Sequence, residues 1–215
     1  MIARSIKPRM SSNDRRDQIL QAAIETFARQ GFAGTKTRDI ASAAGVSEAV
    51  VFRHFSTKEK LYHAILDTKE SDHHLEYQAK LTEYAQQRND ALLLRYLTKG
   101  IFESFRKDPA FHRLMLYATL EGHLLSNLFR ERLSMPVGGF LKRYVVLRQK
   151  EGAFRKCDPE VMISFIFSTS VQWAMGRYLF KTKVPRMDED TLVSEIVDLI
   201  MGGLLKGQKK HHATK

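Results

Sequence analysis

The segment from Thr37 to Phe55, TRDIASAAGVSEAVVFRHF, decides the fold. A short helix is predicted from Thr37, its expected N-cap, to Ala44. Gly45 ends this helix because glycine adopts the positive φ that a tight turn needs. A second helix is predicted from about Ser47 to Phe55. This order of helix, turn and helix is typical of a helix-turn-helix motif.

The inward and outward faces of this helix-turn-helix segment have different characters. The side chains expected to point inward are Ile40, Ala41 or Ala44, Val46, Val51 and Phe55. The side chains expected to face outward are Ser47, Glu48, Val50, Arg53 and His54. The outward face is short and narrow, as insertion into a DNA major groove about 12 Å wide requires. An ordinary helical hairpin at the corner of a bundle has the same spacing and remains the alternative.

The flanking sequence extends the helical pattern in both directions. Upstream, a helix is predicted over residues 13–30, where Ile19, Ala23 and Phe27 recur at every fourth position, and Gly31 is expected to end it in a left-handed conformation. Downstream, Ser56 and Glu59 form an expected capping box. This capping box begins a long fourth helix that carries Leu61, Ile65, Leu75 and Leu81.

The residues of this region strongly resemble the N-terminal domain of the TetR family. The resemblance covers roughly Arg15 to Leu66, through the helix ILQAAIETFARQGF, the link AGTKTRDIASAAGVSEA and the closing FRHFSTKEKLYHAI. It implies an all-α fold, with an N-terminal three-helix helix-turn-helix domain followed by a larger helical ligand-binding and dimerisation domain. It also implies a homodimeric transcriptional regulator that binds double-stranded operator DNA and is released by a small hydrophobic effector.

The resemblance assigns DNA contacts residue by residue. The matching positions are Thr37, Arg38, Ser47, Glu48, Ala49, Val50, Phe52, Arg53, His54 and Lys58. Thr37 and Arg38 open the short helix before the turn, where the family contacts a phosphate and in some cases a base edge. Residues 47–50 and Arg53 occupy base-reading positions, whereas His54 and Lys58 lie where the family binds phosphates.

This sequence departs from the family pattern at the reading face. Phe52 stands where the family usually has tyrosine, so a hydroxyl–phosphate hydrogen bond is lost. Ala49 and Val50 replace a common Gly-Thr pair and suit a thymine methyl group. Glu48 stands where lysine is frequent, and a carboxylate near phosphates is unfavourable unless it accepts from cytosine. These departures bear on the operator sequence and not on DNA binding itself.

The charge distribution agrees with a polyanionic partner. The formal net charge is +11 and the sequence pI is about 9.8, which favours a nucleic acid or a membrane surface. Residues 1–60 hold eleven Lys/Arg against six Asp/Glu, so this part is roughly twice as basic per residue as the rest. No apolar run approaches the ~18 residues of a membrane span, and no apolar segment follows the N-terminal charges as in a signal peptide. We therefore expect a cytoplasmic protein.

The domain organisation follows from these signals. We expect a disordered basic N-terminus over residues 1–12, the helix-turn-helix domain over 13–60, a helical regulatory and dimerisation domain over 61–206, and a disordered tail over 207–215. Further helices are predicted at about 88–107, 109–133, 137–151, 159–181 and 188–206. Asp108-Pro109 and Asp158-Pro159 each place an N-cap acid before a proline that suits the first helical position.

The last two helices and the middle of the chain supply the remaining candidate sites. The predicted dimer interface consists of Val161, Phe165, Ser168, Leu192, Ile196 and Ile200. The predicted effector pocket consists of Tyr96, Phe105, Met115, Tyr117, His123, Phe167, Gln172 and Trp173. Aromatic groups with a few polar ones suit a lipophilic ligand. Packing within the core of one subunit is the alternative for both sets.

Metal and enzyme sites find little support in the sequence. Asp72, His73, His74 and Glu76, or His63 with Asp67, have ligand-type side chains, but adjacent histidines on a helix point about 100° apart. A solvated helix face is the simpler interpretation, and no metal or cofactor is expected. No glycine-rich phosphate loop, G-x-S-x-G or H-E-x-x-H motif occurs, so no catalytic residue is assigned. A DNA-bound protein that recruits another factor without a small ligand is the alternative to effector-controlled repression.

Overall fold

The architecture is that of an all-α protein, seen in a computed structural model that describes residues 11–71, 74–182 and 187–205. The described helices are α1 (Ser12–Gly34), α2 (Thr37–Ala43), α3 (Glu48–His54), α4 (Lys58–Ser71), α5 (His74–Gln86), α6 (Asp90–Lys107), α7 (Pro109–Leu120), α8 (Leu124–Phe129), α9 (Met135–Lys150), α10 (Pro159–Tyr178) and α11 (Glu189–Leu204), with a π-helical turn at Arg130–Ser134 between α8 and α9. Within those ranges the only β pairing is an isolated bridge between Phe154 and Leu205. The expected all-α fold class is therefore confirmed.

The chain divides into two compact units, and the first one is discontinuous. The first unit combines the chain up to residue 72 with residues 110–129, so α7 and α8 join α1–α4. The second unit consists of residues 73–109 and everything from residue 130 onwards. The expected domain boundary at residues 60 and 61 falls inside α4.

The core of the first unit follows the predicted helical spacing. Ile19, Ala23 and Phe27 are each 0% exposed, and Ile40 and Val51 are also buried, at 0% and 2% exposure. The α1 helix begins with a reciprocal cap in which Ser11 Oγ accepts from the Asp14 N–H at 3.1 Å. Gly31 has the predicted positive φ, +71°, but it kinks α1 and does not end it, since the helix continues to Gly34.

The turn between α2 and α3 is a Schellman motif. Gly45 has φ +62°, its N–H donates to Ser42 O at 3.1 Å, and the Val46 N–H donates to Ala41 O at 3.0 Å. These two bonds satisfy carbonyls that the end of α2 would otherwise leave unpaired. No atom lies within 4 Å of the place that a Cβ at residue 45 would take. The position therefore needs glycine for its positive φ and not for lack of space. The turn fixes the angle at which α3 leaves α2.

Several predicted helix boundaries were wrong. The long fourth helix is assigned as α4 and α5, and residues 72–73 between them lie outside the described part. Its cap is Thr57 and not Ser56, since Thr57 Oγ1 accepts from the Lys60 N–H at 3.1 Å. Lys36 and not Thr37 precedes α2 as the N-cap residue. The helix predicted over 109–133 breaks at residues 121–123, where Gly122 has φ +62°.

The second unit is organised around α6. This helix packs against α5, α10 and α11, and α10 also packs against α9. At the contact with α10, the fully buried hydroxyl groups of Thr98 and Ser170 lie 3.2 Å apart and share a hydrogen bond. Asp158 caps α10 by accepting from the Glu160 N–H at 2.8 Å, as the Asp-Pro signal predicted.

A buried charged group joins α6 to α9. The Arg148 guanidinium donates to both carboxylate oxygens of Asp90, at 2.9 and 2.7 Å, and the Tyr144 hydroxyl donates to the same carboxylate. The Asp90 side chain is 8% exposed and that of Arg148 is 14% exposed. Burial, together with the hydrogen bond to Asp90, raises the pKa of the Tyr144 hydroxyl. On the rim of this group, Glu151 pairs with Arg148 and Arg88.

Two further observations bear on the classes of protein considered above. None of the described helices has the length and apolar character needed to cross a bilayer. Within the described residues, no three His, Cys, Asp or Glu side chains converge as metal ligands would. Asp72 and His73, which belong to one of the two candidate ligand sets, lie outside the described residues.

Candidate nucleic-acid interface

The α3 helix presents a continuous exposed face. Ser47, Glu48, Ala49 and Arg53 are exposed and Phe52 is 49% exposed, while Val50 and His54 are half-buried. The opposite face of α3 is anchored by Val51 and, just after the helix, Phe55, at 2% and 5% exposure. The predicted inward positions of Val51 and Phe55 and the predicted outward positions of Ser47, Glu48 and Arg53 are thus confirmed. The helix is supported from behind and free in front, as a helix that enters a groove must be.

The structure brings three predicted contact residues together beside α3. Thr37 at the start of α2, Phe52 on α3 and Lys58 at the start of α4 line one small depression of about 10 Å³. Nearby, Arg38 is exposed and its guanidinium lies 3.8 Å from the carboxylate of Asp39. Three helix segments therefore present predicted DNA contacts within one patch of surface.

Lys58 has a second role that the sequence did not indicate. Its ammonium donates to the carbonyl oxygens of Phe32 at 2.6 Å and Thr35 at 3.0 Å, and it lies 4.0 Å from the centre of the Phe32 ring. A cation at the end of a helix satisfies carbonyls that have no partner within the helix. Lys58 thus ties the start of α4 to the end of α1. An ammonium has three N–H donors, so the predicted phosphate contact remains compatible with this role.

A wider cleft opens on the other side of α3. It has a volume of about 440 Å³ and lies between the beginning of α1, the α2–α3 turn and the α3 face. Its lining residues are Ser11, Ser12, Arg15, Gly45, Val46, Val50, Arg53 and His54. The cleft joins three predicted contact residues, Val50, Arg53 and His54, to a part of α1 that the sequence analysis did not assign to the site.

Behind this surface, five residues from α1, α4 and the α7–α8 turn form what we call the Phe32 cluster. Its members are Phe32, Lys58, Tyr62, Glu121 and His123. The His123 ring lies 4.2 Å from the Phe32 ring and 5.1 Å from that of Tyr62. Glu121 accepts a hydrogen bond from the Phe32 N–H at 3.3 Å. The α7–α8 turn is therefore attached to the two helices that Lys58 also joins.

Gly31 makes room for this attachment. A Cβ at residue 31 would lie 2.3 Å from Glu121 Oε1, and φ +71° is strained for any residue with a side chain. Tyr62 is 1% exposed, and within the described residues its hydroxyl group has no hydrogen-bond partner. The Phe32 cluster therefore combines tight packing with a polar group that is poorly satisfied.

The Phe32 cluster predicts a pH dependence of stability. Burial lowers the pKa of His123, Lys58 acts in the same direction, and Glu121 and Glu59 oppose both. An ordinary histidine titrates near ~6.5, so as the pH falls the unfolded chain takes up its proton before the folded chain does. The free energy of unfolding should therefore fall as the pH drops from that value towards the lowered pKa of His123.

Urea unfolding measured between neutral pH and the acid side of that interval would detect this loss. His123→Gln should flatten the pH dependence. Identical pH profiles for His123→Gln and the wild type would rule out His123 as the titrating group.

The predicted dimer residues separate into two groups. Val161 is 66% exposed, Phe165 is 51% exposed and Ser168 is exposed. By contrast, Leu192, Ile196 and Ile200 are 2%, 2% and 0% exposed. They lie in the core of their own subunit because α11 packs its apolar face against α6. Their assignment to an interface was wrong. The exposed apolar residue of α11 is Leu199, at 74%.

The predicted pocket residues are divided between the two units. Met115, Tyr117 and His123 belong to the first unit, while Tyr96, Phe105, Phe167, Gln172 and Trp173 belong to the second. His123 is part of the Phe32 cluster, and Gln172 is exposed. Tyr96 stacks on Tyr77 at 5.1 Å. Effector binding by these residues remains a prediction.

Comparison with known proteins identifies the fold of the N-terminal region. Residues 19–65 match the family model for bacterial regulatory proteins of the tetR family. The DNA-binding region of this chain is therefore similar to that of the TetR family. The TetR-family match covers α1 from Ile19, the whole of α2 and α3, and α4 as far as Ile65, and so includes every predicted DNA contact.

Individual TetR-family and related proteins extend the likeness. The HTH-type transcriptional repressor Rv3405c of Mycobacterium tuberculosis is 44% identical over 86 residues, which is 38% of this chain and 46% of that protein. The chain thus spans about half the length of this relative. The HTH-type transcriptional repressor KstR2 of Rhodococcus jostii is 25% identical over 193 residues, 88% of this chain and 91% of that protein. The crystal structure of HlyIIR, a hemolysin II transcriptional regulator, superposes on this chain with a TM-score of 0.68 and 20% sequence identity. The superposition covers 92% of this chain and 100% of the HlyIIR chain.

Sequence reasoning did not single out Ser11, Ser12 and Arg15, which line the wider cleft. One signal could have found Arg15. Acidic residues are the ones that stabilise the first turn of a helix, because the helix dipole makes that end positive. Arg15 and Arg16 place two cations close to the beginning of α1, which is unfavourable for the helix by itself.

Proposed function

We propose that this chain is a sequence-specific DNA-binding transcriptional regulator of the TetR kind, a homodimeric repressor released from its operator by a small lipophilic effector. The observation that carries the proposal is the α3 face, which is anchored by Val51 and Phe55 and oriented by the Schellman turn at Gly45. The relatives Rv3405c and KstR2 are both named repressors. A regulator of this kind acts where the chromosome is, which agrees with a cytoplasmic location.

Dimerisation is supported by an exposed stripe on α10 that contains two large apolar residues, Val161 and Phe165. Val161, Phe165, Ser168 and Gln172 follow one another at intervals of four, three and four residues, and all four are exposed. Such spacing places them on one helix face. Two helices from each subunit, α10 through this stripe and α11 through the exposed Leu199, would form a four-helix seam. The resulting two-fold dimer would present two α3 helices to successive major grooves, so the operator should be near-palindromic.

Effector control is supported by the connection of α7 to the DNA-binding helices within the first unit. Met115 and Tyr117 lie on α7, shortly before the turn that carries Glu121 and His123. A ligand in contact with α7 would displace this turn and, through Phe32, the end of α1 and the Lys58 contact. The coupling required is modest, since allosteric ligands typically shift affinity by ~1–3 kcal/mol.

The DNA-binding role makes a prediction for Arg53. A duplex selected from a random pool by the wild-type protein would serve as operator. Arg53→Ala should weaken operator binding by ~1–3 kcal/mol, mainly through particular base pairs, because a bidentate contact to guanine is lost. The same variant should bind random duplex almost as tightly as the wild type does. The exposed Arg113→Ala on α7 is the matched control and should bind both duplexes normally. Equal losses of Arg53→Ala on operator and random DNA would contradict a base-reading role.

Reciprocity tests the effector. A thermal-shift screen of hydrophobic metabolites against the free protein should find compounds that raise its Tm. In the presence of saturating operator, each compound should bind more weakly, by the same factor by which it weakens DNA binding. Compounds that bind without changing operator affinity would favour a regulator that recruits a partner protein and has no effector.

A further inference from the structure

The 440 Å³ cleft beside α3 is strongly basic. Of its eight lining residues, Arg15, Arg53 and His54 are basic and none is acidic. They come from two helices, α1 and α3, on opposite sides of the α2–α3 turn. Glu48, the acidic residue of the α3 face, is not among them. A concave surface of this kind attracts an anion, because the fields of the Arg15 and Arg53 guanidinium groups add within it.

The cleft lies at the border of the α3 face, where a DNA strand would pass. Val50 forms part of its wall, and Val50 is also one of the positions predicted to contact a base. When α3 lies in a major groove, a strand of the duplex must pass beside this wall, since the sugar-phosphate backbones border the groove. Ser11 and Ser12 supply neutral hydroxyl groups on the far side.

Arg15 is held in position within this cleft. Its Nη1 donates to Gln18 Oε1 at 2.8 Å, and the residue is half-buried. A guanidinium has five N–H donors in a fixed plane, so the bond to Gln18 orients the group while others stay able to bind a phosphate. The next residue, Arg16, is committed elsewhere, since its guanidinium lies 5.2 Å from the centre of the Phe55 ring.

We propose that the cleft binds one phosphodiester of the DNA backbone in each half-site, with Arg15 as its principal contact. This assignment rests on the proposed function and adds α1 to the DNA-binding surface. Phosphate contacts fix the register of a protein on the duplex, whereas base contacts read the sequence. Arg15 therefore sets where α3 lies in the groove and has no base preference of its own.

The experiment compares Arg15→Gln with Arg29→Gln in the full-length protein. Arg29 is an exposed arginine near the other end of the same helix, which makes it the matched control. Arg15→Gln should bind both the operator and random duplex roughly tenfold more weakly at low salt, and its salt dependence should fall by about one unit per subunit. Arg29→Gln should match the wild type. Arg15→Lys, which keeps the charge, should retain most of the salt dependence.

Ethylation interference locates the contact directly. In each half-site, ethylation of one particular phosphate should weaken binding of the wild-type protein. Ethylation of the same phosphate should not weaken binding of Arg15→Gln any further. Unchanged affinity and an unchanged interference pattern for Arg15→Gln would overturn the proposal. So would a loss on operator alone, which indicates base reading. Saturable binding of inorganic phosphate to the free wild type that Arg15→Gln abolishes, with DNA affinity unaltered, would assign the cleft to a free anion instead. If the wild type binds no duplex at all, the proposed function fails and not merely the role of Arg15.

Discussion

Phe165→Glu is expected to convert the protein into a monomer that binds its operator at least ~100-fold more weakly than the wild type. Phe165 is 51% exposed on α10, so the free subunit should fold normally with glutamate at this position. In the proposed dimer, however, the carboxylate would be buried against a partner without a compensating charge. The loss of affinity is large because two linked half-sites bind far more tightly than one.

Sedimentation and operator titration at the same protein concentration would measure both effects. Leu120→Glu is the matched control, since Leu120 is 84% exposed on α7 and lies outside the proposed seam. This control should remain dimeric with normal affinity. A Phe165→Glu protein that stays dimeric would place the interface elsewhere. A monomer that binds as tightly as the wild type would contradict the two-fold model of DNA recognition.

Asp90→Asn is expected to destabilise the protein by about 3–5 kcal/mol, because it removes the buried counter-charge of Arg148 and leaves only the partly exposed Glu151 carboxylate as its ion-pair partner. The Asp90 carboxylate takes two hydrogen bonds from Arg148 and one from Tyr144. An asparagine of the same shape keeps one acceptor and introduces a donor that faces other donors. Because the group joins α6 to α9, its loss should reduce the stability of the second unit as a whole.

The control for this substitution is Glu151→Gln on the rim of the same group. The Glu151 side chain is 32% exposed, and exposed ion pairs contribute little, at about 0–1 kcal/mol. Chemical denaturation followed by circular dichroism would compare the two variants. Equal destabilisation by Asp90→Asn and Glu151→Gln would show that burial of the Asp90–Arg148 pair does not matter.

The parts of the fold that the sequence predicted are those encoded by neighbouring residues. A glycine after α2 and a pair of apolar residues four positions apart in α3 suffice to define the helix-turn-helix, since each acts within one or two turns of helix. The cap of α4 was displaced by one residue because Ser56 and Thr57 are both good N-caps, and only the backbone geometry selects Thr57.

The parts that it failed to predict depend on contacts between distant residues. The apolar spacing of Leu192, Ile196 and Ile200 is the same whether the helix packs against its own subunit or against a partner, so periodicity could not distinguish the two. Likewise, nothing near Lys58 in the sequence indicates that its ammonium would bind the Phe32 carbonyl, 26 positions earlier. The cleft at Arg15 is likewise formed only when α1 and α3 pack together.

The discontinuous first unit has a consequence for the order of folding during synthesis. When residues up to 71 have left the ribosome, the helix-turn-helix sequence is complete, but Glu121 and His123 are still to be made. Phe32 and Tyr62 then lack the ring that packs on them, and the Phe32 N–H lacks its acceptor. At 5–20 residues per second the missing segment follows roughly 3–12 s later. The nascent DNA-binding helices must therefore wait for α7 and α8, and a fragment that ends at residue 71 would expose this apolar surface permanently.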